Sequence, residues 1–297
     1  MLIVAEITQI SNDSKLRVDE SASLWRYVKL STLLLNLSGT VYVPTVAQLQ
    51  KSDPKEGLAA VSAEWRFGYL LDREHGTIKK VLEALPAEKQ KLIGAGDPSN
   101  LADMMQNSRI IADFYDEQQS QLKCAWCWHS SSHESAAMWK LYANSGAAIQ
   151  TTLARIASAL PNAVRFEAAR IQYGNREAGE IDSFNPEAAG IRDILARAYL
   201  FKNNDYEFEK EVRLVIGAEI PGAGRVLNNV SANKLIQRIV FSPWIELDEF
   251  EAMQKKIQPL CPDAEISRSP LIRNPDDEKT IRAMNRLMSG LGEQQSD

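Results

Sequence analysis

The feature that most constrains this chain is a change of texture at Leu122. From there to about residue 245, short apolar runs of strand length alternate with stretches of helical period. LKCAWCWH reads as a strand, ESAAMWKLYAN as a helix closed by Ser145-Gly146, AAIQTTL as a strand, ARIASALP as a helix and AVRFEAARIQYG as a strand again. A further helix at about 187–200 is followed by the strands DYEFEKEVRLVI, RVLNNV and LIQRIVFSP. Short strands interleaved with helices, some adjacent and antiparallel, give an α+β fold.

Upstream, LWRYVKL (24–30) reads as a strand, and STLLLNLSG (31–39) has the Ser/Thr start and Gly stop of a short helix. TVYVPTV is the next strand. Between Pro54 and Gln121 the pattern is helical, with EKQKLIG and PSNLADMMQNSRIIADFYDEQQ carrying apolar residues at helical spacing. The expected organisation is one α+β domain over residues 1–270, with a helical insertion at about 54–121. A C-terminal helix (Asp277 to Met288) and a flexible tail occupy 271–297.

The net charge of −5 and pI near 5.5 disfavour a protein whose main task is to coat phosphate backbones. No run of about 18 apolar residues is present, and MLIVAEITQISND has neither a basic start nor a small-residue cleavage site. The expectation is a cytoplasmic protein with no membrane partner. Three cysteines in 297 residues make no disulfide framework, so the thiols are expected to be reduced.

Chemistry has three candidate locations. Arg26, in Trp25-Arg26-Tyr27, presents a planar, permanently charged donor fork suited to phosphate or carboxylate, or to a surface ion pair. In CWHSSSHESAAMWKLYA, a strand ending at Trp128-His129 runs through Ser130, Ser131 and Ser132 into a helix. Ser132 is the expected N-cap, and Ala137, Met138, Leu141 and Tyr142 the expected apolar face. Such a loop can simply cap a helix or can hold an anion or a ribose. The third location is DYEFEKEVRLVI. As a strand it places Glu207, Glu209, Glu211 and Arg213 on one face, with Phe208, Val212, Leu214 and Ile216 on the other. Carboxylates on a central strand must border a cavity to stay hydrated.

Cys124, Cys127, His129 and His133 also spell C-x2-C-x-H-x3-H. On a strand, however, Cys124 and Cys127 point to opposite faces, with Cys124, Trp126 and Trp128 on the buried one, which argues against a zinc site. A metal-dependent nuclease or hydrolase using the three glutamates is a rival reading, weakened because collinear carboxylates do not converge on a hard cation. A non-catalytic nucleotide-sensing module is another.

Taken in order, Arg26 on the first strand, the serine cluster at a helix head and Glu209-Lys-Glu211-Val before an aliphatic strand resemble the R-S-E pattern of arginine-type ADP-ribosyltransferases. The chain also resembles a bacterial domain family found near phage-defence genes. That likeness covers about residues 24–245, through Leu24-Trp-Arg-Tyr27, Asp53-Pro-Lys-Glu-Gly57, Met138-Trp-Lys-Leu-Tyr-Ala143, Gly146-Ala-Ala-Ile149 and Phe208-Glu-Lys-Glu-Val-Arg213. The first resemblance implies a split, mixed or antiparallel sheet with NAD, as substrate, between its halves. Arg26 would hold the diphosphate, and Ser130 or Ser131 the nicotinamide-side ribose. His129 or Tyr142 would line the nicotinamide pocket. Glu211 would stabilise the oxocarbenium-like charge while Glu209 activates the acceptor, and Arg213 would keep the carboxylates ionised. The implied partners are a macromolecular acceptor and, for a toxin or phage-defence effector, an antitoxin. No metal site is implied.

Overall fold

The computed structural model describes residues 6–10, 16–53, 56, 86–95, 101–162, 164–174 and 198–271. Its centre is a mixed eight-stranded sheet. Along the chain the strands are β1 (Glu6–Gln9), β2 (Ser23–Val28), β3 (Val41–Val43), β4 (Lys123–Ser130), β5 (Ala147–Thr152), β6 (Arg165–Arg170), β7 (Gln172–Gly174), β8 (Phe201–Asn203), β9 (Glu211–Gly217), β10 (Arg225–Leu227), β11 (Arg238–Phe241) and β12 (Glu265–Arg268). The order in the large sheet is β1-β6-β9-β4-β2-β5-β11-β12; β1 and β12 join in parallel and the other neighbours are antiparallel. The α+β expectation holds. TVYVPTV departs from it: only Val41–Val43 is strand, and it pairs with β10 outside the large sheet.

Helices cover both sheet faces. They are α1 (Leu30–Leu37), α2 (Val46–Leu49), α3 (Ala87–Ala95), α4 (Leu101–Leu122), α5 (Ala136–Tyr142), α6 (Leu153–Ala159), α7 (Ala232–Leu235) and α8 (Leu247–Ile257). Helices α3 and α4 fall in the expected insertion, and α4 runs straight into β4. Of the helix expected at 187–200 only Ala198–Leu200 is described, as a single 3-10 turn. The expected C-terminal helix lies outside the described residues. Among the described residues no helix is long and apolar enough to cross a membrane.

Strand alternation sorts the core. Leu24, Val28, Trp126, Trp128, Ile149, Val212, Leu214 and Phe241 point to one face and join a continuous apolar cluster with Leu33 and Leu37 of α1, Ile156 of α6 and Phe250 of α8. The other face carries two smaller clusters. One holds Trp25, Tyr27, Met138, Trp139 and Val240; the other holds Val46, Ala125, Ala169, Tyr199 and Val215. The side chains of β4 and β9 that lie between these clusters, Cys127, His129, Glu211 and Arg213, are polar or ionisable.

The β2–β4 ladder is short. It pairs Leu24 with Ser130 and Trp25 with His129, whereas β4 pairs with β9 over its whole length from Lys123 to His129. At the other end of β4, Cys124 bridges to Thr45 and the Ala125 N–H donates to Pro44 O at 2.9 Å. The β4 edge at Trp126–Trp128 therefore has neither neighbour along it.

Gly146 marks a close backbone approach. A Cβ built there would lie 2.0 Å from Val28 O and 3.2 Å from Lys29 Cα. Both are backbone atoms and cannot rotate away. Gly146→Ala is expected to destabilise by about 2–3 kcal/mol in chemical denaturation, while alanine at the uncrowded Gly217 is expected to have little effect.

Candidate active site

Pairing across three strands sets a row of side chains on the second face. Trp25 on β2 opposes His129 on β4, which opposes Glu211 on β9; one step along, Cys127 opposes Arg213. Glu211 is 5% exposed and Arg213 fully buried. Glu211 Oε1 accepts from Arg213 Nε at 2.6 Å and Oε2 from Nη2 at 3.1 Å. Arg213 Nη2 also donates to Glu56 Oε1 at 2.6 Å, and Nη1 donates to the Tyr199 carbonyl. Lys202, on β8, supplies the second cation: its Nζ lies 2.6 Å from Glu209 Oε2, 3.4 Å from Glu56 Oε2 and 3.5 Å from Glu211 Oε2. Three carboxylates thus share two cations in a buried network.

The expected row of three glutamates does not form. Asn204–Glu209 is a 3-10 turn, Lys210 adopts a left-handed conformation (φ 42°) and the strand begins only at Glu211. Two interactions favour the turn over extension. The Glu209 carbonyl is bonded to His129 Nδ1, and the Glu209 carboxylate receives Lys202 and the Tyr142 hydroxyl. Glu207 is consequently exposed, and Phe208 is 41% exposed instead of supplying core. Glu209 still meets Glu211, but through the turn and Lys202.

A cavity of 220 Å³ opens where β2 and β4 part. Its lining includes Arg26, Cys127, His129, Tyr142, Glu209 and Glu211, with Trp25, Tyr27, Trp128, Glu56 and Lys202. Five of the seven residues singled out from the sequence therefore meet in one place. Arg26 reaches it from the other side of the sheet, since it shares the face of Leu24 and Val28, and its guanidinium carbon sits 5.7 Å from the centre of the Trp126 ring.

Ser130 and Ser131 are not part of the cavity lining. Ser130 Oγ accepts from Arg170 Nη1 at 3.3 Å; Ser131 Oγ accepts from the His133 N–H at 3.1 Å and Ser131 O from Trp25 Nε1 at 2.9 Å. The cap of α5 is Ser135, whose Oγ accepts from the Met138 N–H at 3.3 Å, so the helix starts later than Ser132. The buried residues of α5 are Met138 and Trp139, while Ala137 and Leu141 are exposed and Tyr142 is half-exposed over the cavity. As expected for a strand, Cys124 and Cys127 lie on opposite faces; among the described residues no group of three His, Cys, Asp or Glu is arranged to hold a metal.

Lys202, Glu56 and Tyr173 were not singled out from the sequence. Lys202 follows the apolar run AYLF, which gives no sign of a buried cation. Glu56 belongs to Asp53-Pro-Lys-Glu-Gly57, quoted above only for its likeness. The Tyr173 hydroxyl accepts from the Glu211 N–H at 2.7 Å and so fixes the start of β9.

The two carboxylates are electrostatically unequal. Burial would raise the pKa of Glu211, but the charge and hydrogen bonds of Arg213, with Lys202 behind them, bring it down to about 2. Glu209 is pushed above the ordinary carboxylate range, by burial first and then by Glu211, with Lys202 and Tyr142 opposing. Burial lowers the pKa of His129. Because a carbonyl can only accept, His129 Nδ1 carries the proton and Nε2 is the ring's acceptor. The Cys127 thiol is held well above its usual pKa by burial and by Glu211, so it is not a nucleophile at neutral pH. The site thus joins a fixed anion to a weaker acid that can exchange a proton.

Unpaired donors lie at the cavity, on Arg26 and Trp128, and behind it in the core, on Trp126. Arg26 Nη1, Trp126 Nε1 and Trp128 Nε1 are buried and have no hydrogen-bond partner among the described residues. A buried donor left unpaired typically costs about 1–3 kcal/mol. A larger groove, of 880 Å³, runs beside β1, but its charged residues Arg17, Asp19 and Glu20 are exposed. Comparisons of the chain with family models, with curated proteins and with solved structures each return no match.

Proposed function

We propose that the chain is an ADP-ribosyltransferase-like enzyme that cleaves the bond between nicotinamide and ribose in NAD and passes ADP-ribose to a macromolecular acceptor. The observation that carries this reading is the convergence of Arg26, His129, Tyr142, Glu209 and Glu211 on one cavity at an interruption of the sheet. In this reading that interruption is the split that separates two halves of an ADP-ribosyltransferase-like sheet.

The cavity, at 220 Å³, is below the roughly 300–1,000 Å³ usual for drug-sized ligands, so it suits the nicotinamide–ribose end and the adjoining phosphate, with the adenosine outside. As the bond from C1′ to the pyridinium nitrogen breaks, its electron pair leaves with nicotinamide and positive charge builds on the ribose. Glu211, ionised at all physiological pH values, opposes that charge. The acceptor's nucleophile then bonds to C1′, and its proton passes to Glu209, the less acidic of the pair. Tyr142 donates to Glu209 and positions it. Arg26 supplies donors to the diphosphate. Ser130 and Ser131, bonded outside the cavity, have no part in these steps.

The metal-hydrolase reading fits less well, because the three carboxylates are already answered by Lys202 and Arg213. A non-catalytic nucleotide sensor has one observation in its favour: both oxygens of Glu211 are engaged by Arg213. It differs in outcome, since a sensor binds NAD and leaves it intact.

The proposal includes a toxin or phage-defence role restrained by an antitoxin. Incubating the protein with NAD labelled in the adenylate and a bacterial lysate is expected to label a macromolecule, and Glu209→Gln to lose at least about a hundredfold of that labelling. Wild-type expression is expected to slow growth and Glu209→Gln to relieve it. Labelling that survives the substitution undiminished would remove Glu209 from the mechanism.

A further inference from the structure

We propose that the acceptor group taken by this site is an uncharged hydroxyl, and that a guanidinium, the natural guest of paired glutamates, is turned away. The inference rests on the NAD reading above and names the chemical class of its acceptor.

A guanidinium matches the edge of a carboxylate with two parallel bonds, so Glu209 and Glu211 would ordinarily invite one. Here each of their oxygens already has a donor. Glu211 Oε1 and Oε2 accept from Nε and Nη2 of Arg213 at 2.6 and 3.1 Å, Glu209 Oε2 accepts from Lys202 Nζ at 2.6 Å, and Glu209 Oε1 accepts from the Tyr142 hydroxyl. Neither carboxylate keeps a free edge for a fork. The charge is answered as well. Glu56, Glu209 and Glu211 stand against Lys202 and Arg213, and Arg26 in the same lining makes the cations equal in number to the carboxylates. Lys202 is 7% exposed and Arg213 fully buried, so solvent screens them weakly. An entering guanidinium would be a fourth cation, and Lys202 Nζ already lies within 3.5 Å of both Glu209 and Glu211.

The reaction selects in the same direction. A guanidinium has five donors and no acceptor, so it has no lone pair for C1′ until it gives up a proton that it holds at all physiological pH values. A hydroxyl carries its proton and two lone pairs together. Its oxygen bonds to C1′ as the bond to nicotinamide breaks, the electron pair of that bond leaves with nicotinamide, and the hydroxyl proton passes to Glu209. The product is an O-glycoside of ADP-ribose. Each oxygen of Glu209 keeps a second lone pair beside the one that Tyr142 or Lys202 uses, which serves a single O–H but not a fork. Burial and Glu211 make Glu209 the less acidic of the two carboxylates and therefore the one that takes the proton. A carboxylate acceptor would bring no proton for it and would meet both glutamates as a like charge.

The test supplies the full chain and NAD with one acceptor at a time, agmatine as a guanidinium or glycerol as a hydroxyl, and reads the products by mass. Glycerol is expected to give an adduct with ADP-ribose, and agmatine none above that formed by Glu209→Gln. Label on the macromolecules of a lysate is expected to survive neutral hydroxylamine, which strips ADP-ribose from guanidino and ester linkages but not from an O-glycoside. An agmatine adduct, or label lost to hydroxylamine, would overturn the hydroxyl and leave nicotinamide cleavage standing. Free ADP-ribose as the sole product would identify the hydroxyl as water, keeping the inference and removing the macromolecular acceptor. Binding decides the matter even where NAD stays intact. In calorimetry agmatine is expected to show no saturable binding to the wild type, and Lys202→Met, which leaves one carboxylate unanswered, is expected to gain at least about tenfold in agmatine affinity. A folded Lys202→Met without that gain would overturn the inference. So would saturable agmatine binding by the wild type that Glu209→Gln abolishes, whether or not Lys202→Met folds.

Discussion

Replacing Arg213 with methionine is expected to destabilise the fold by about 3–5 kcal/mol, because it removes one of two cations and leaves three buried carboxylates to share Lys202 alone. Arg213 bonds Glu211 through two nitrogens and Glu56 through one, and it is fully buried. Thermal unfolding should show the loss as a fall of on the order of 10 °C in Tm. Glu207→Gln, at an exposed position of the neighbouring turn, is expected to change stability by less than about 0.5 kcal/mol. The same network sets an acid limit. Glu211 has a pKa of about 2 in the fold against an ordinary value of 4.5, so its stabilisation is complete above pH 4.5 and is lost as pH falls toward 2. That interval corresponds to about 3 kcal/mol. Acid unfolding that takes no stability from the protein between these pH values would contradict the pairing.

Glu209→Gln is expected to act on turnover, with a loss of about 10²–10³ and a fold that persists. Glutamine keeps an acceptor for Tyr142, but it cannot take a proton from the acceptor nucleophile. Glu211→Gln differs in degree: both variants lose a buried ion pair, but Arg213 and Lys202 favour the Glu211 charge whereas burial and Glu211 disfavour the Glu209 charge, so Glu211→Gln is expected to lose more stability as well as turnover. The pH profile separates the two carboxylates. The acid limb of kcat/KM should fall above the pH expected of an ordinary carboxylate, because burial and Glu211 raise the pKa of Glu209. In Glu209→Gln that limb should disappear from any residual activity. An acid limb unchanged in Glu209→Gln would assign the proton transfer to another group.

Much of this site is legible because β-strand alternation is a local rule. The faces of Cys124, Trp126 and Trp128 against Cys127 and His129, and the placement of Val212, Leu214 and Ile216 opposite Arg213, follow from period two alone. The rule fails where a tertiary contact overrides it. DYEFEKE looks extended, yet His129 and Lys202 draw Glu209 into a turn, and a lysine takes the left-handed conformation that ends it. Nothing within seven residues of sequence announces that His129 lies underneath. Lys202 was hidden for the same reason, since a buried lysine inside an apolar run is recognisable only once Glu56, Glu209 and Glu211 surround it. The helix at the serine cluster begins at Ser135 instead of Ser132, because the Ser135 N–H is held by the Tyr27 hydroxyl at 2.8 Å and its side chain then serves as the cap. With three serines within five residues of Ser135, local sequence offers several capping candidates and tertiary structure chooses one.

The proposed activity is cleavage of the nicotinamide bond of NAD by Glu209 and Glu211 in the cavity between β2 and β4. The most direct measurement follows nicotinamide released from ring-labelled NAD in a bacterial lysate, for wild type and Glu209→Gln side by side. The expected result is release by the wild type, slowed at least about a hundredfold in a Glu209→Gln protein that still unfolds in one cooperative transition above the assay temperature. No release by the folded wild type, in lysate or with added nucleic acid, would contradict it.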